Sequence, residues 1–283
     1  MQKLLKNFTF NPKNDILSGL TVALALIPEA VAFAFVAGID PLVGLYGAFM
    51  MGIVTAIFGG RPGMISGATG AMAVVMVHLI QKGNDVGIGL ETPIENLGLQ
   101  WLFITLLFVG AIQISAGVFK LGKFVRLIPH SVMMGFVNGL AIVIFLSQLG
   151  LFKEKINGNL EWIQGSNLWI MLGFVGLTMA IMFLLPKVTK KVPAALVAII
   201  VVAAITIFGD VNVSTVGSFI IDSGGEGLQG SLPSFQAQIF GLFDTLAGNW
   251  DLIFSTAFLL AAVGLIESLM TLNLIDDMTE TRG

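Results

Sequence analysis

A chain of 283 residues that is 56% hydrophobic and only 11% charged cannot wet the surface of a globule its size, because a soluble domain carries about 25% charged residues. A mean hydropathy of +0.94 places it in a membrane instead. A net charge of −3 with no basic stripe excludes nucleic-acid binding, and the absence of cysteine excludes disulfide, thiolate-metal and thiol-nucleophile chemistry. A helix needs about 20 mostly apolar residues to cross the hydrocarbon core. Eight stretches meet or approach that length, at about 16–37, 41–58, 67–80, 99–119, 131–149, 168–185, 193–208 and 250–272. The expected fold class is therefore an all-α integral membrane protein with about eight transmembrane spans. The first span follows Lys3, Lys6 and Lys13, as a signal peptide would, but Glu29 interrupts its apolar run and more spans follow at once.

Orientation follows from the basic residues. A cytoplasmic N-terminus puts only Lys82, Lys153 and Lys155 outside and every other one of the 14 basic residues inside. The bias alternates loop by loop, as the positive-inside rule requires. It also supports the third span, the least apolar of the eight. The outside loop 209–249 carries Asp210, Asp222, Glu226 and Asp244 with no basic residue. The expected location is the cell membrane, multi-pass, with the N-terminus cytoplasmic.

Among the 17 acidic residues, only Glu29 and Glu267 fall well inside a span, Asp251 standing at the very start of the eighth. An ionisable group at that depth costs about 2.5–3.5 kcal/mol on insertion scales and marks an ion or proton site by default. Glu267 has Ser268 beside it and Thr271 one turn later on the same face. A carboxylate and a hydroxyl at that spacing can carry a proton or hold Na+ through oxygen ligands, so the coupling ion stays open. His78 and His130 sit at span ends and read as interfacial or packing residues. Gly135 and Gly139 form a G-x-x-x-G in the fifth span, expected to serve close helix packing.

Two spans are interrupted. Pro28 removes an N–H from the first span just before Glu29. The third opens with Arg61-Pro62-Gly63-Met64-Ile65-Ser66-Gly67-Ala68-Thr69-Gly70, which resists starting a helix at the membrane surface. The expected arrangement is extended chain over 61–66 and a helix beginning near Ala68 to Gly70, partway into the membrane. Such a half-helix aims unpaired N–H groups and its positive dipole end at a cavity, which suits an anion without any fixed positive charge. Discontinuous helices near the midplane point to a transporter site.

The stretch Ile27-Pro28-Glu29-Ala30-Val31-Ala32-Phe33-Ala34 continuing to Tyr46 resembles the signature of SulP anion transporters, the sulfate permease family. So do the run from Gly122-Lys123 through Pro129-His130 to Gly139 and Gln148, and the eighth-span sequence Glu267-Ser268-Leu269-Met270-Thr271 followed by Asp276-Asp277-Met278-Thr279. The resemblance covers nearly the whole chain. It implies fourteen spans as two inverted repeats of seven, divided into core and gate, followed by a cytoplasmic STAS domain. It implies an anion held between facing half-helix ends of the third and tenth spans, with the first span alongside. Carried over by position, Glu29, Phe33, Ser66, Gly67, Ala68, Thr69 and Gly70 belong to the anion site. Eukaryotic members commonly have glutamine where this chain has Glu29. Glu267 and Thr271 match the cation-binding acid and threonine of sodium-coupled bicarbonate members, whose acid is aspartate.

On this reading residues 1–14 are a cytoplasmic N-terminus, 15–272 an incomplete transmembrane domain of core and gate spans one to eight, and 273–283 a cytoplasmic exit. The chain then holds the first repeat and the first span of the second, an N-terminal portion without the STAS domain. The expected function is secondary active transport of a small inorganic anion, sulfate or bicarbonate, coupled to Na+ or H+. The expected protein is not an enzyme, has no cofactor beyond Na+ as a coupling ion, and forms a homodimer in the bilayer when full length. A nucleobase:cation symporter of the same fold is the alternative. A prenyltransferase-like reading of Asp276, Asp277 and Glu280 is remote, because no second acidic cluster faces the first.

Overall fold

The computed structural model describes residues 12–59, 63–90, 92–122, 130–150, 152–156, 159–189, 192, 194–209, 211, 213, 215 and 232–279. Among them run eight α-helices: α1 (Pro12–Ala37), α2 (Pro41–Phe58), α3 (Gly70–Ile88), α4 (Leu97–Val118), α5 (His130–Gly150), α6 (Ser166–Val188), α7 (Ala194–Phe208) and α8 (Trp250–Thr279). Each expected span has its helix. Five of them, α1, α2, α4, α6 and α8, are long and apolar enough to cross a membrane by length and composition. The chain is thus a mostly helical, multi-pass membrane protein. The basic residues Lys3, Lys6, Arg61, Lys123, Arg126, Lys190, Lys191 and Arg282 used for orientation lie outside the described residues, as do Pro62, Asp210, Asp222, Glu226 and Glu280.

Three expectations change. α1 runs unbroken through Pro28: a proline costs its helix one hydrogen bond, here to the Leu24 carbonyl, and membrane helices absorb that loss. α3 continues past residue 80 to Ile88, through Gln81, Lys82, Asn84 and Asp85. A short antiparallel hairpin, β1 (Lys153–Ile156) with β2 (Asn159–Trp162), joins α5 to α6, pairing Lys153 with Trp162. The Lys153 ammonium lies 5.1 Å from the centre of the Trp162 ring, a cation–π contact across that pair.

The ends of the first two helices follow local chemistry. Gly38 adopts φ +74°, and the Ile39 and Gly38 N–H groups return to the Ala34 and Phe35 carbonyls at 3.0 and 3.1 Å. That is a Schellman end, which needs a residue free of Cβ. Asp40 then caps α2, its carboxylate accepting from the Leu42 N–H at 2.8 Å, with Pro41 at the first helical position.

The chain divides into two compact units. The first comprises the described residues up to Glu29 and those from Phe152 into the 209–222 stretch; in it α6 packs against α7. The second runs from Ala30 to Leu151 and resumes after residue 222. In the second unit α3, α4 and α8 pack on one another, and α3 also meets α5. Leu79, Ile80, Leu97, Trp101, Ile104, Ile253 and Leu260 are fully buried at that junction.

The α3–α4 contact is close because glycines form it. A Cβ at Gly83 would lie 2.5 Å from the Gly98 Cα, and one at Gly87 2.5 Å from the Ile94 carbonyl oxygen. The Gly98 N–H donates to the Asn84 side-chain oxygen at 2.9 Å across the same crossing. The working small-residue pair is therefore Gly83 and Gly87. Gly135 and Gly139, expected to do this, have none of the described residues within 4 Å of where a Cβ would stand.

Outside the helices, the 3₁₀ turns Ala237–Gly241 and Phe243–Leu246 close over the start of α4. The indole N–H of fully buried Trp101 donates to the Thr245 hydroxyl at 3.1 Å, and that hydroxyl donates to the Leu242 carbonyl at 2.6 Å. Thr245→Val keeps the shape but orphans the indole N–H, so it should destabilise the protein by about 1–3 kcal/mol. A thermal melt in detergent checks this, and an unchanged midpoint would show the bond to be dispensable.

Candidate functional site

Residues Gly63 to Thr69 are non-helical, and Gly63 has φ +92°. Thr69 is extended (φ −129°, ψ 141°) and is the N-cap of α3, its hydroxyl oxygen accepting from the Met72 N–H at 3.4 Å. The helix therefore starts where the glycine- and hydroxyl-rich run places it, and its first-turn N–H groups point out of its end. Ser66, Gly67, Ala68 and Thr69 are half-buried and Gly70 is buried.

The Phe33 side chain, from the last turns of α1, covers this helix end. A Cβ on Gly70 would lie 2.9 Å from the Phe33 ring and 3.1 Å from the Ile144 side chain of α5. Only a residue lacking Cβ lets the ring approach the first turn of α3 so closely. Phe33 thus meets Gly70, at the end of the run from Ser66, in the second unit. Glu29 falls in the first unit and is exposed.

Glu267 stands just past the middle of α8, half-buried, and the Thr69 hydroxyl hydrogen-bonds its carboxylate. The Oε2 atom of that carboxylate is buried without a hydrogen-bond partner among the described residues. Thr271, one turn on, donates its hydroxyl proton to the Glu267 backbone carbonyl at 2.9 Å. That bond spends the hydroxyl proton and leaves the oxygen as an acceptor. Thr69 and Glu267 offer a hydroxyl oxygen and a carboxylate, the hard oxygen donors that alkali cations prefer, and Thr271 carries a further hydroxyl oxygen one turn along α8.

The sequence assigned Thr69 to one site and Glu267 to another. In the structure the Thr69 hydroxyl caps α3 and also bonds the carboxylate of α8. Gln113 on α4 escaped the sequence reading altogether. Its Nε2 donates to the Ala261 carbonyl of α8 at 3.5 Å and would stand 2.8 Å from a Cβ on Gly264. A glutamine within an apolar span was the available signal. His78 is exposed on α3, the side chain of His130 lies outside the described residues, and no group of three or more metal-ligating acids or histidines forms among the described residues.

The model of the sulfate permease family matches residues 13–282, nearly the whole chain. The chain belongs to the sulfate permease family. It is 43% identical over 272 residues to YbaR of Bacillus subtilis (strain 168), named as a candidate sulfate transporter; the match covers 96% of this chain and 49% of that protein. It is 30% identical over 283 residues to the bicarbonate transporter BicA of Synechocystis, covering 96% of this chain and 46% of the relative. The transmembrane domain of a cyanobacterial bicarbonate transporter BicA superposes with a TM-score of 0.70 at 27% identity, over 97% of this chain and 68% of that one. The chain spans about half the length of the full-length relatives it matches. These sulfate permease relatives are transporters, not enzymes.

Proposed function

We propose that the full-length protein to which this chain corresponds is a secondary active transporter of a small inorganic anion, sulfate or bicarbonate, driven by a gradient of Na+ or H+. Family membership and the names of the relatives support anion transport. One observation carries the coupling: the Thr69 hydroxyl caps the half-helix α3 and also bonds Glu267. The anion is received by the N–H groups at the start of α3, beside Ser66, Gly67, Ala68, Thr69 and Gly70, under the Phe33 ring. The cation is received by Glu267 and Thr271.

The logic is electrostatic. A free helix N-terminus favours an anion, and a carboxylate bonded to its capping hydroxyl opposes it. When a cation or a proton neutralises Glu267, the opposing charge disappears while the Thr69 hydroxyl oxygen keeps its capping bond from the Met72 N–H. Cation binding therefore raises anion affinity at the helix end, and by linkage the anion raises cation affinity by the same factor. The protein would sit in the cell membrane with its N-terminus cytoplasmic, as half of a homodimer. The facing half-helix would come from a second inverted repeat of seven spans.

The test is uptake of labelled sulfate, bicarbonate and uracil by vesicles holding the full-length protein. Uptake of one of the two anions should follow either a sodium jump at constant pH or a pH jump without sodium, and the effective jump names the coupling ion. Uracil uptake without anion uptake would overturn the proposal in favour of a nucleobase symporter.

A further inference from the structure

Three helices meet just before Glu267, and the meeting point is a notch at Gly264. A Cβ there would stand 2.8 Å from Gln113 Nε2 on α4 and 3.8 Å from the Met72 sulfur in the first turn of α3. Gly264 lies three residues before Glu267, so the two share a face of α8. Met72 is the residue whose N–H is capped by Thr69. The notch therefore touches the helix of the carboxylate and the helix of its hydroxyl partner at once. The Gln113 amide fills it and donates to the Ala261 carbonyl at 3.5 Å.

We propose that Gln113 is a positioning residue for cation coupling: its amide, seated at Gly264, sets the rotation and height of α8 so that the Glu267 carboxylate faces Thr69. The inference rests on the coupling role assigned above to Glu267. The amide makes no contact with a transported ion. It acts through α8, which it grips at Ala261 and Gly264 on the approach to Glu267. A polar side chain within an apolar span gains from a partner on the neighbouring helix, and Gly264 is the gap through which this one reaches its carbonyl. A Cβ at 264 meets only the flexible end of a glutamine, which can swing away. Gly264→Ala thus leaves the fold intact while moving the amide off its seat, which separates positioning from stability.

The experiment measures cation-driven anion uptake by the full-length protein in vesicles, together with its thermal melt. Gln113→Leu should raise the half-saturating concentration of the driving cation by about tenfold, the usual scale for residues that orient an ion's ligands. Maximal uptake and melting temperature should stay near those of the unmodified protein. Gly264→Ala should give a shift in the same direction. In a Gln113→Leu background, Gly264→Ala should add little further, because the amide it displaces is already gone. A cation dependence within twofold of the unmodified protein in both single variants overturns the proposal. So does a fall in melting temperature and maximal uptake with cation dependence unchanged, which would mean packing alone. Glu267→Gln in the same vesicles distinguishes the failures. If it retains cation-driven uptake, the coupling role of Glu267 falls and this inference falls with it. If it loses that uptake while Gln113→Leu changes nothing, this inference alone falls.

Discussion

Glu267→Gln should abolish cation-gradient-driven anion accumulation by the full-length protein while leaving its fold intact. The substitution keeps size and shape and retains a carboxamide oxygen able to accept from the Thr69 hydroxyl, so the α3–α8 link survives. What disappears is the charge. A unit cation about 4 Å from a carboxylate gains about 4 kcal/mol at an effective dielectric of about 20. Losing that attraction lowers cation affinity by between two and three powers of ten. Neither can the amide take up a proton, so the variant fails whether the driving ion is Na+ or H+. Because the opposing charge beside Thr69 has gone permanently, the helix end should still bind its anion. Uptake down the anion's own gradient should therefore persist in the variant, while accumulation against that gradient stops. Flux assays with and without the cation gradient read both quantities, and undiminished gradient-driven accumulation would remove Glu267 from the mechanism. Thr69→Val, by contrast, removes the α3 cap as well as the link, and so should impair anion affinity and coupling together.

Much of this site is legible in the chain itself, because its signals are local. Proline, glycines and hydroxyl residues over 61–70 cannot start a helix early, and α3 begins at Gly70 inside the range they allow. An acid within an apolar span marks itself by cost, so Glu267 stands out. Partnership is another matter. Thr69 and Glu267 lie far apart in the chain, and no periodicity says that α3 and α8 touch there. The glycines teach the same lesson in reverse. Gly135 and Gly139 have the spacing of a packing motif but meet none of the described residues, whereas Gly83, Gly87 and Gly98 make the tight crossing. Spacing identifies a face without a Cβ; only the fold decides whether another helix arrives on it. The end of α3 is hidden because Gln81, Lys82, Asn84 and Asp85 look like a loop. Asn84 is instead spent on the Gly98 N–H, a bond that requires α4 to have docked already.

Gly98→Ala should be the most destabilising single methyl in the second unit. Its Cβ would overlap the Ile80 carbonyl oxygen and stand 2.7 Å from the Ile80 carbonyl carbon. These are backbone atoms within a helix, unable to swing aside as the Gln113 amide can. The two helices must part, which loosens the contacts of Leu79, Ile80, Leu97 and Trp101, all buried, and lengthens the Asn84 bond to the Gly98 N–H. Overpacking in a tight core costs about 1–3 kcal/mol and can cost more; with the strained hydrogen bond the total should reach about 4 kcal/mol. For a protein of this size about 1 kcal/mol moves the melting temperature by about 2–4 °C, so a fall of about 10 °C is expected. Alanine is otherwise the better helix former by about 1 kcal/mol. Gly135→Ala, whose Cβ meets none of the described residues, should therefore melt at or above the temperature of the unmodified protein. Melts of the full-length protein in detergent compare the two directly, and a Gly98→Ala midpoint matching that of Gly135→Ala would show that α3 and α4 do not cross as closely as described. The crossing matters beyond stability, because α3 carries Thr69 and α4 carries Gln113. If it sets the geometry on which coupling depends, Gly98→Ala should also weaken the cation dependence of uptake at temperatures well below its melt.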